Sequence, residues 1–460
     1  MDNLARDDRP LSLLAPDMVE TDIRALIDDR PLSSFQVRVL VLVGCLVLMD
    51  GFDVQVIGFV APALLRTWHL KPDALGPIFG AGLLGMLVGS TALGMLADQI
   101  GRRPVLLGAT CFVGLCVLST AATQSVPQLL ALRFLTGLGL GGVLGNAVTL
   151  ASEYCPSARR ASLLMGISCG FTAGAIFGGL LAAVLIPRVG WRSVFIVGGL
   201  LPLGVAVLLI RELPESLHLL IVRGAPRGQI ERWLNRLAPG MVLEPATPLK
   251  GRGIAVKASV IDLFRGGLGV RSLLLWAVSF ANLLNLFFLA NWLPLLATRM
   301  GYSDLLGVLM GMTLQAGGII GALALGRFID RVGFYWVLAP SFLLGALLIA
   351  TLGRENMPVA LKCAVVLLAG ASVLGGQPGI NALAASIYPT QLRATGVGWC
   401  LGIGRAGSIV GPVAAAQLIA HHITNEMLFM VAAIPAALSS LVIAGMAMTP
   451  ARRDGALLRQ

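Results

Sequence analysis

The sequence predicts an all-α polytopic membrane protein with twelve transmembrane helices in two six-helix halves. Three observations carry that prediction. Hydrophobic residues make up 57% of the 460-residue chain and charged residues only 12%, where a soluble domain carries about 25% charge. Apolar runs long enough to cross the roughly 30 Å hydrocarbon core of a bilayer recur along most of the chain. A duplicated set of motifs divides those runs six and six.

In chain order, residues 1–38 are polar, mixed in charge and expected in the cytoplasm, and the stretch from Asp22 to Arg38 can form a short interfacial helix. No signal peptide is visible ahead of the first apolar run, so the first helix is expected to direct insertion itself. Six spans follow near Val39–Leu64, Leu75–Ala97, Pro104–Ala122, Pro127–Ala151, Leu163–Pro187 and Trp191–Ile210, making an N-terminal half over 39–210. Residues 211–269 hold Pro214, Pro226, Pro239, Pro245 and Pro248 and much basic charge, and read as a central cytoplasmic loop. Six more spans near Val270–Thr298, Asp304–Phe328, Tyr335–Leu352, Pro358–Ile380, Ala394–Ile419 and Met427–Met448 form a C-terminal half over 270–448. Residues 449–460 are a tail, again expected in the cytoplasm.

A net charge of +11 would suggest nucleic acid in a soluble domain; here it reads as topology, and no nucleic-acid partner is expected. With both termini inside, about 25 Lys and Arg fall on the cytoplasmic side and about 7 outside, as the positive-inside rule requires. Arg133 and Arg405 remain inside predicted spans, away from their ends. The seven Cys residues are scattered through apolar segments without paired spacing, which reads as buried thiols rather than disulfides or a metal site.

The first span contains Asp50 and Asp53, two carboxylates in an otherwise apolar run. Such a charge at mid-membrane costs about 2.5–3.5 kcal/mol on insertion scales, so it marks a site by default. Three residues apart, the two share a helix face, and Gly51 between them leaves room for a neighbouring helix or a ligand. Burial and like charge let one of them hold and release a proton as water access alternates. The sequence leaves open which one titrates, and whether a fixed Arg instead makes them structural.

The repeat is explicit. The run from Gly94 through Asp98 and Gly101 to Arg102-Arg103 returns as Gly326 through Asp330-Arg331 to Gly333. Asn146 to Tyr154-Cys155-Pro156 and Arg160-Ala161-Ser162 is echoed by Asn381 to Tyr388-Pro389 and Arg393-Ala394-Thr395. Duplicated halves of this size place a transported substrate at their interface near the midplane. No metal-ligand cluster, nucleotide loop or other enzyme motif is present, and the four His residues fall near or outside the span ends. No metal or cofactor is expected, and an ion gradient or the substrate's own gradient is the energy source that remains.

The sequence resembles the major facilitator superfamily. The run from Gly94 to Arg103 is similar to its loop signature between helices two and three, with Gln99 where Arg or Lys is usual. Arg133-Phe134-Leu135-Thr136-Gly137 to Gly141 is similar to its fourth-helix signature. Narrower likeness lies in Asp50-Gly51-Phe52-Asp53 before Ile57-Gly58-Phe59 and Ala61-Pro62-Ala63-Leu64. It continues in Leu144-Gly145-Asn146-Ala147-Val148-Thr149-Leu150 before Glu153-Tyr154, and in Arg393-Ala394-Thr395-Gly396-Val397-Gly398 before Gly404-Arg405. Together these resemble the aromatic acid:proton symporters, bacterial inner-membrane importers of benzoate, hydroxybenzoates, phenylpropionates or chlorophenoxyacetates. The resemblance implies proton symport by alternating access and a coupling role for Asp50 and Asp53.

Within that expectation, Arg133 either pairs with a first-helix acid in a switchable ion pair or snorkels at the outer helix end. Arg405, deep in the eleventh span, matches a carboxylate with its bidentate fork and is the candidate for the substrate's acid group, against a permanent salt bridge to Asp50 or Asp53. Candidate ring contacts are Phe52, Phe288, Trp292 and Trp399; candidate polar contacts are Asn146, Asn285, Asn291, Gln377 and Asn381. Interhelical packing is the plain alternative for each. Gly94, Asp98, Gly101, Arg102, Arg103 and Glu153, with Asp330 and Arg331 in the repeat, read as a cytoplasmic gate that pairs in one access state. The chain is expected to act as a monomer in the bilayer, on a small aromatic acid and protons. A sugar porter, a drug:proton antiporter and a non-transporting sensor of aromatic acids are the competing readings. Gly174-Ala175-Ile176-Phe177-Gly178-Gly179 lacks the Gly-Pro pair that an antiporter favours in its fifth helix.

Overall fold

The structure, a computed structural model, describes residues 21–22, 32–156, 159–216, 268–354, 357–389 and 392–448, with scattered positions between 219 and 265. Twelve helices among them are long and apolar enough to cross a membrane, as expected. They are α1 (Ser34–Trp68), α2 (Leu75–Ile100), α3 (Arg102–Thr120), α4 (Val126–Tyr154), α5 (Arg160–Val189) and α6 (Arg192–Glu212) in the first half. The second half has α7 (Leu268–Arg299), α8 (Asp304–Val332), α9 (Phe334–Leu352), α10 (Val359–Ile387), α11 (Arg393–Ala420) and α12 (Asn425–Met448).

Several helices outrun the apolar stretches that announce them, for local reasons. Ser33 accepts from the Gln36 amide while the Gln36 side chain returns a bond to Ser33, a capping box that starts α1 five residues before the apolar run. α10 continues from Ile380 to Ile387 before the Tyr388-Pro389 stop. The interfacial helix expected over Asp22 to Arg38 lies mostly outside the described residues. Asp22 belongs to a two-residue parallel pairing with Leu249–Lys250, and Ser34 to Arg38 belong to α1 itself.

The halves repeat one packing plan. α1 lies along α5, α2 along α4 and α3 along α6; α7 lies along α11, α8 along α10 and α9 along α12. Close approach depends on small residues. A side chain on Gly51 would strike the Phe171 backbone of α5, so only glycine fits between the two acids.

The halves meet unevenly. Call the end of the bundle that carries the C-terminus of α1 distal, and the end that carries its N-terminus proximal. One apolar cluster at the distal end joins both halves, through Phe59, Leu64 and Phe79 of the first and Trp292, Leu296 and Ile419 of the second. At the proximal end each half has its own cluster, one around Leu46, Leu150 and Tyr154, the other around Leu338, Leu383 and Tyr388. The distal mouth is shut.

Candidate functional site

Helix α1 carries both acids inward, and the structure treats them differently. Asp53 is paired with Arg133 of α4, whose Nη1 lies 3.2 and 3.3 Å from its two carboxylate oxygens. The Arg133 side chain is 3% exposed, so this is a buried pair and not a snorkelled end. Its Nη2 donates to Thr120 Oγ1 at 3.4 Å and its guanidinium lies 5.3 Å from the Phe195 ring centroid, contacts that fix a desolvated cation. Asp50 is 0% exposed, and neither carboxylate oxygen has a hydrogen-bond partner among the described residues. The charges that act on it are Arg405 and Asp53.

Arg405 is half-buried on α11 and reaches across the halves. Its Nη1 donates to the Met86 carbonyl of α2 at 3.3 Å, and no other hydrogen bond of its fork occurs among the described residues. A planar cation with most of its donors free can receive a carboxylate in bidentate fashion. Beside the Asp53–Arg133 pair lies a void of about 30 Å³, lined by Asp53, Arg133, Asn291, Ile57, Leu83 and Met86 among others. That is room for a water or two rather than for a ring.

The family model described as the Major Facilitator Superfamily matches residues 43–399 and 315–458. The chain belongs to that superfamily. Over 422 residues it is 38% identical to the 4-hydroxybenzoate transporter PcaK of Pseudomonas putida, covering 91% of this chain and 94% of that protein. A gallate transporter of the same species is 37% identical over 422 residues, covering 92% of this chain and 94% of its own. These relatives place it in the aromatic acid branch of the superfamily, and make it a transporter rather than an enzyme. Among solved structures, the inward open conformation of the xylose transporter XylE from E. coli matches with a TM-score of 0.70 at 17% identity. It covers 89% of this chain and 95% of that one, a likeness of fold alone.

Against this facilitator frame the remaining candidates separate into groups. Asn291 lines the void, with its side chain donating to Phe287 O at 2.9 Å. Asn282 Nδ2 donates to Gln377 Oε1 at 2.8 Å and Gln377 Nε2 to Asn381 Oδ1 at 3.1 Å, an amide ladder between α7 and α10. Asn146 donates to Gly142 O at 2.8 Å and 3.5 Å away meets Leu93 O of α2. Asn285 is fully buried, and neither amide atom has a partner among the described residues.

The aromatic candidates pack elsewhere than the void. Phe52 turns toward Phe177 and Gly198, inside the first half. Phe288 meets Phe429 of α12 edge-on at 6.0 Å. Trp292 is fully buried, donates its indole N–H to Pro412 O at 3.1 Å and packs edge-on against Phe79 of the other half. Trp399 is 43% exposed and stacks on Trp276.

The proximal loop candidates of the first half form a network. Arg102 pairs with Glu153, and Ser216 Oγ donates to the same carboxylate at 2.6 Å. Glu215 accepts from the backbone N–H groups of Arg102 and Arg103 at 2.9 and 3.2 Å and so caps α3. Gly101, at φ +115°, makes the turn that presents those N–H groups. Arg103 donates to Ile210 O at 2.6 Å. Asp98 is exposed within electrostatic reach of Arg102, and Gly94 lies inside α2. Asp330 and Arg331 are exposed near the end of α8 and form no ion pair among the described residues.

Sequence reasoning missed Glu215 as a cap, and Gln55 and Gln315 altogether. The signal for the last two was present, since each is a polar side chain in an apolar span.

Proposed function

We propose that the chain is a proton-coupled importer of an aromatic carboxylate in a bacterial cytoplasmic membrane, working by alternate opening of its two halves with both termini in the cytoplasm. The observation that carries this reading is the unequal partnering of two buried acids beside an uncommitted arginine fork. Asp53 is held by Arg133. Asp50 has no donor among the described residues, is sealed from water and lies within the field of Arg405. Relatives named for 4-hydroxybenzoate and gallate support the substrate class, because both compounds are ring carboxylates.

Competition for Arg405 supplies the coupling. With Asp50 ionised, Arg405 is its counter-charge. A proton on Asp50 frees the fork, which then takes the substrate carboxylate bidentately. Substrate and proton thus favour one another's binding. Loss of the proton toward the cytoplasm returns Arg405 to Asp50 and expels the acid. Widened by movement of the halves, the void lined by Ile57, Leu83, Met86 and Asn291 would give the ring an apolar wall and a polar contact. With the distal end periplasmic, the shut distal mouth makes this an inward-facing state after release, and the proximal network around Glu153 and Glu215 belongs to gating. One chain contains the whole path, so the working unit is a monomer.

Purified protein in proteoliposomes, given labelled 4-hydroxybenzoate and an acid-outside gradient, tests the proposal. Accumulation should follow the gradient. Asp50→Asn should abolish accumulation while retaining exchange of labelled for unlabelled substrate, and Arg405→Leu should abolish both. Gradient-independent accumulation, or undiminished gradient-driven uptake by Asp50→Asn, would overturn it.

A further inference from the structure

Two residues beyond Asp53, Gln55 leaves its own half. Its side-chain amide donates to the Ala290 carbonyl of α7, and its carbonyl oxygen accepts from Gln315 Nε2 of α8 at 3.1 Å. Both glutamines are 3% exposed. The carbonyl they reach is special for a covalent reason. In an α-helix the Ala290 carbonyl would accept from the N–H of residue 294, but that residue is Pro294, which has none. Proline thus leaves an acceptor bare on the face of α7 that meets α1, and a buried polar group without a partner is costly. Gln55 fills it from across the interface.

We propose that Gln55 and Gln315 form the bolt of the distal gate, a clasp on the Ala290 carbonyl that is made only while the distal mouth is shut and broken whenever it opens. Everything around the clasp closes the same end. A side chain on Gly58 would meet the backbone of Asn291 and Ala290, Trp292 bridges to Pro412 and Phe79, and Met312 seats against Gly179. At the rim, Arg66 pairs with Asp304. That rim pair is solvent-exposed and screened, whereas the glutamines are desolvated, so the clasp carries the discrimination between shut and open. Opening exposes all three groups to water, which replaces each bond. The amides carry no charge, so the bolt draws without a proton, while the titratable site lies directly beneath it, where Asp53 and Asn291 line one void.

The proposal rests on alternating access only for the meaning of the shut state, and its test needs no substrate. Hydrogen–deuterium exchange by mass spectrometry on the full chain in nanodiscs reads the distal ends of α1, α7 and α8. Gln55→Leu strands both the Ala290 carbonyl and the Gln315 amide. It should shift the balance toward the open mouth by about 5- to 150-fold and raise exchange at those ends accordingly. Gln315→Leu should do less. Adding Gln315→Leu to Gln55→Leu should relieve part of the effect rather than add to it. In a Pro294→Ala background, where α7 satisfies its own carbonyl, Gln55→Leu should lose much of its effect. Unchanged distal exchange in folded Gln55→Leu protein, simple additivity, or equal effects with and without Pro294 would each overturn the bolt. None of those results bears on whether an aromatic acid is carried.

Discussion

The α2–α3 loop and its repeat between α8 and α9 share the Gly, Asp and Gly spacing, yet their surroundings differ. In the first half Arg102, Arg103, Glu153, Glu215 and Ser216 interlock, and Glu215 caps α3. In the second, Asp330 and Arg331 are exposed without an ion pair among the described residues. Glu215 comes from the segment following α6, and the corresponding segment after α12 falls within 449–460, outside the described residues. The same imbalance runs into the membrane. The first half buries Asp50, Asp53 and Arg133, while the second buries one charge, Lys362 near the start of α10, beside the amides Asn282, Asn285, Asn291 and Gln315. A duplicated motif therefore supplies positions, and the partners that reach it decide whether they bear charge, a hydrogen bond or nothing.

The sharpest way to break that comparison is to strand a charge in the first half. Arg133→Leu leaves Asp53 buried and unpaired, and should cost about 3–5 kcal/mol of stability, read as a large drop in the thermal unfolding midpoint. Adding Asp53→Asn should recover much of that loss; a double variant as unstable as the single would show that the pair does not carry the effect. A smaller contrast comes from the loops. Glu215→Ala should destabilise by about 1–2 kcal/mol through the lost α3 cap, while Arg331→Ala in the repeat should stay within about 0.5 kcal/mol. Equal shifts in the two variants would erase the difference between the loops. The smallest effect concerns reactivity. Burial pushes the Cys155 thiol up to about 11, so its thiolate is scarce at pH 8 and alkylation of native protein should proceed far more slowly there than after unfolding. Equal rates before and after unfolding would show that the end of α4 is open.

The fold was readable because twelve apolar runs separated by basic loops leave little else for the chain to do. Helix ends were not, since the Ser33 capping box and the extension of α10 to Ile387 lie beyond the apolar signal. Charges inside spans announced Asp50, Asp53, Arg133 and Arg405, because desolvation makes such residues rare. Which way Phe52, Phe288 and Trp292 point was invisible, as periodicity is weak in helices apolar on most sides. Gln55 and Gln315 were overlooked because they are 260 positions apart and their meaning depends on Pro294, a third residue on another helix.

Gly51 bears on all of this. Because its missing side chain lets α1 rest on the α5 backbone at Phe171, the two helices travel as one lever. α5 also lies against α8 of the opposite half. Under the proposed coupling, a proton arriving at Asp50 would load a beam with one face already on the partner half. An alanine at position 51 would place a wedge in that joint while every charge stayed in place.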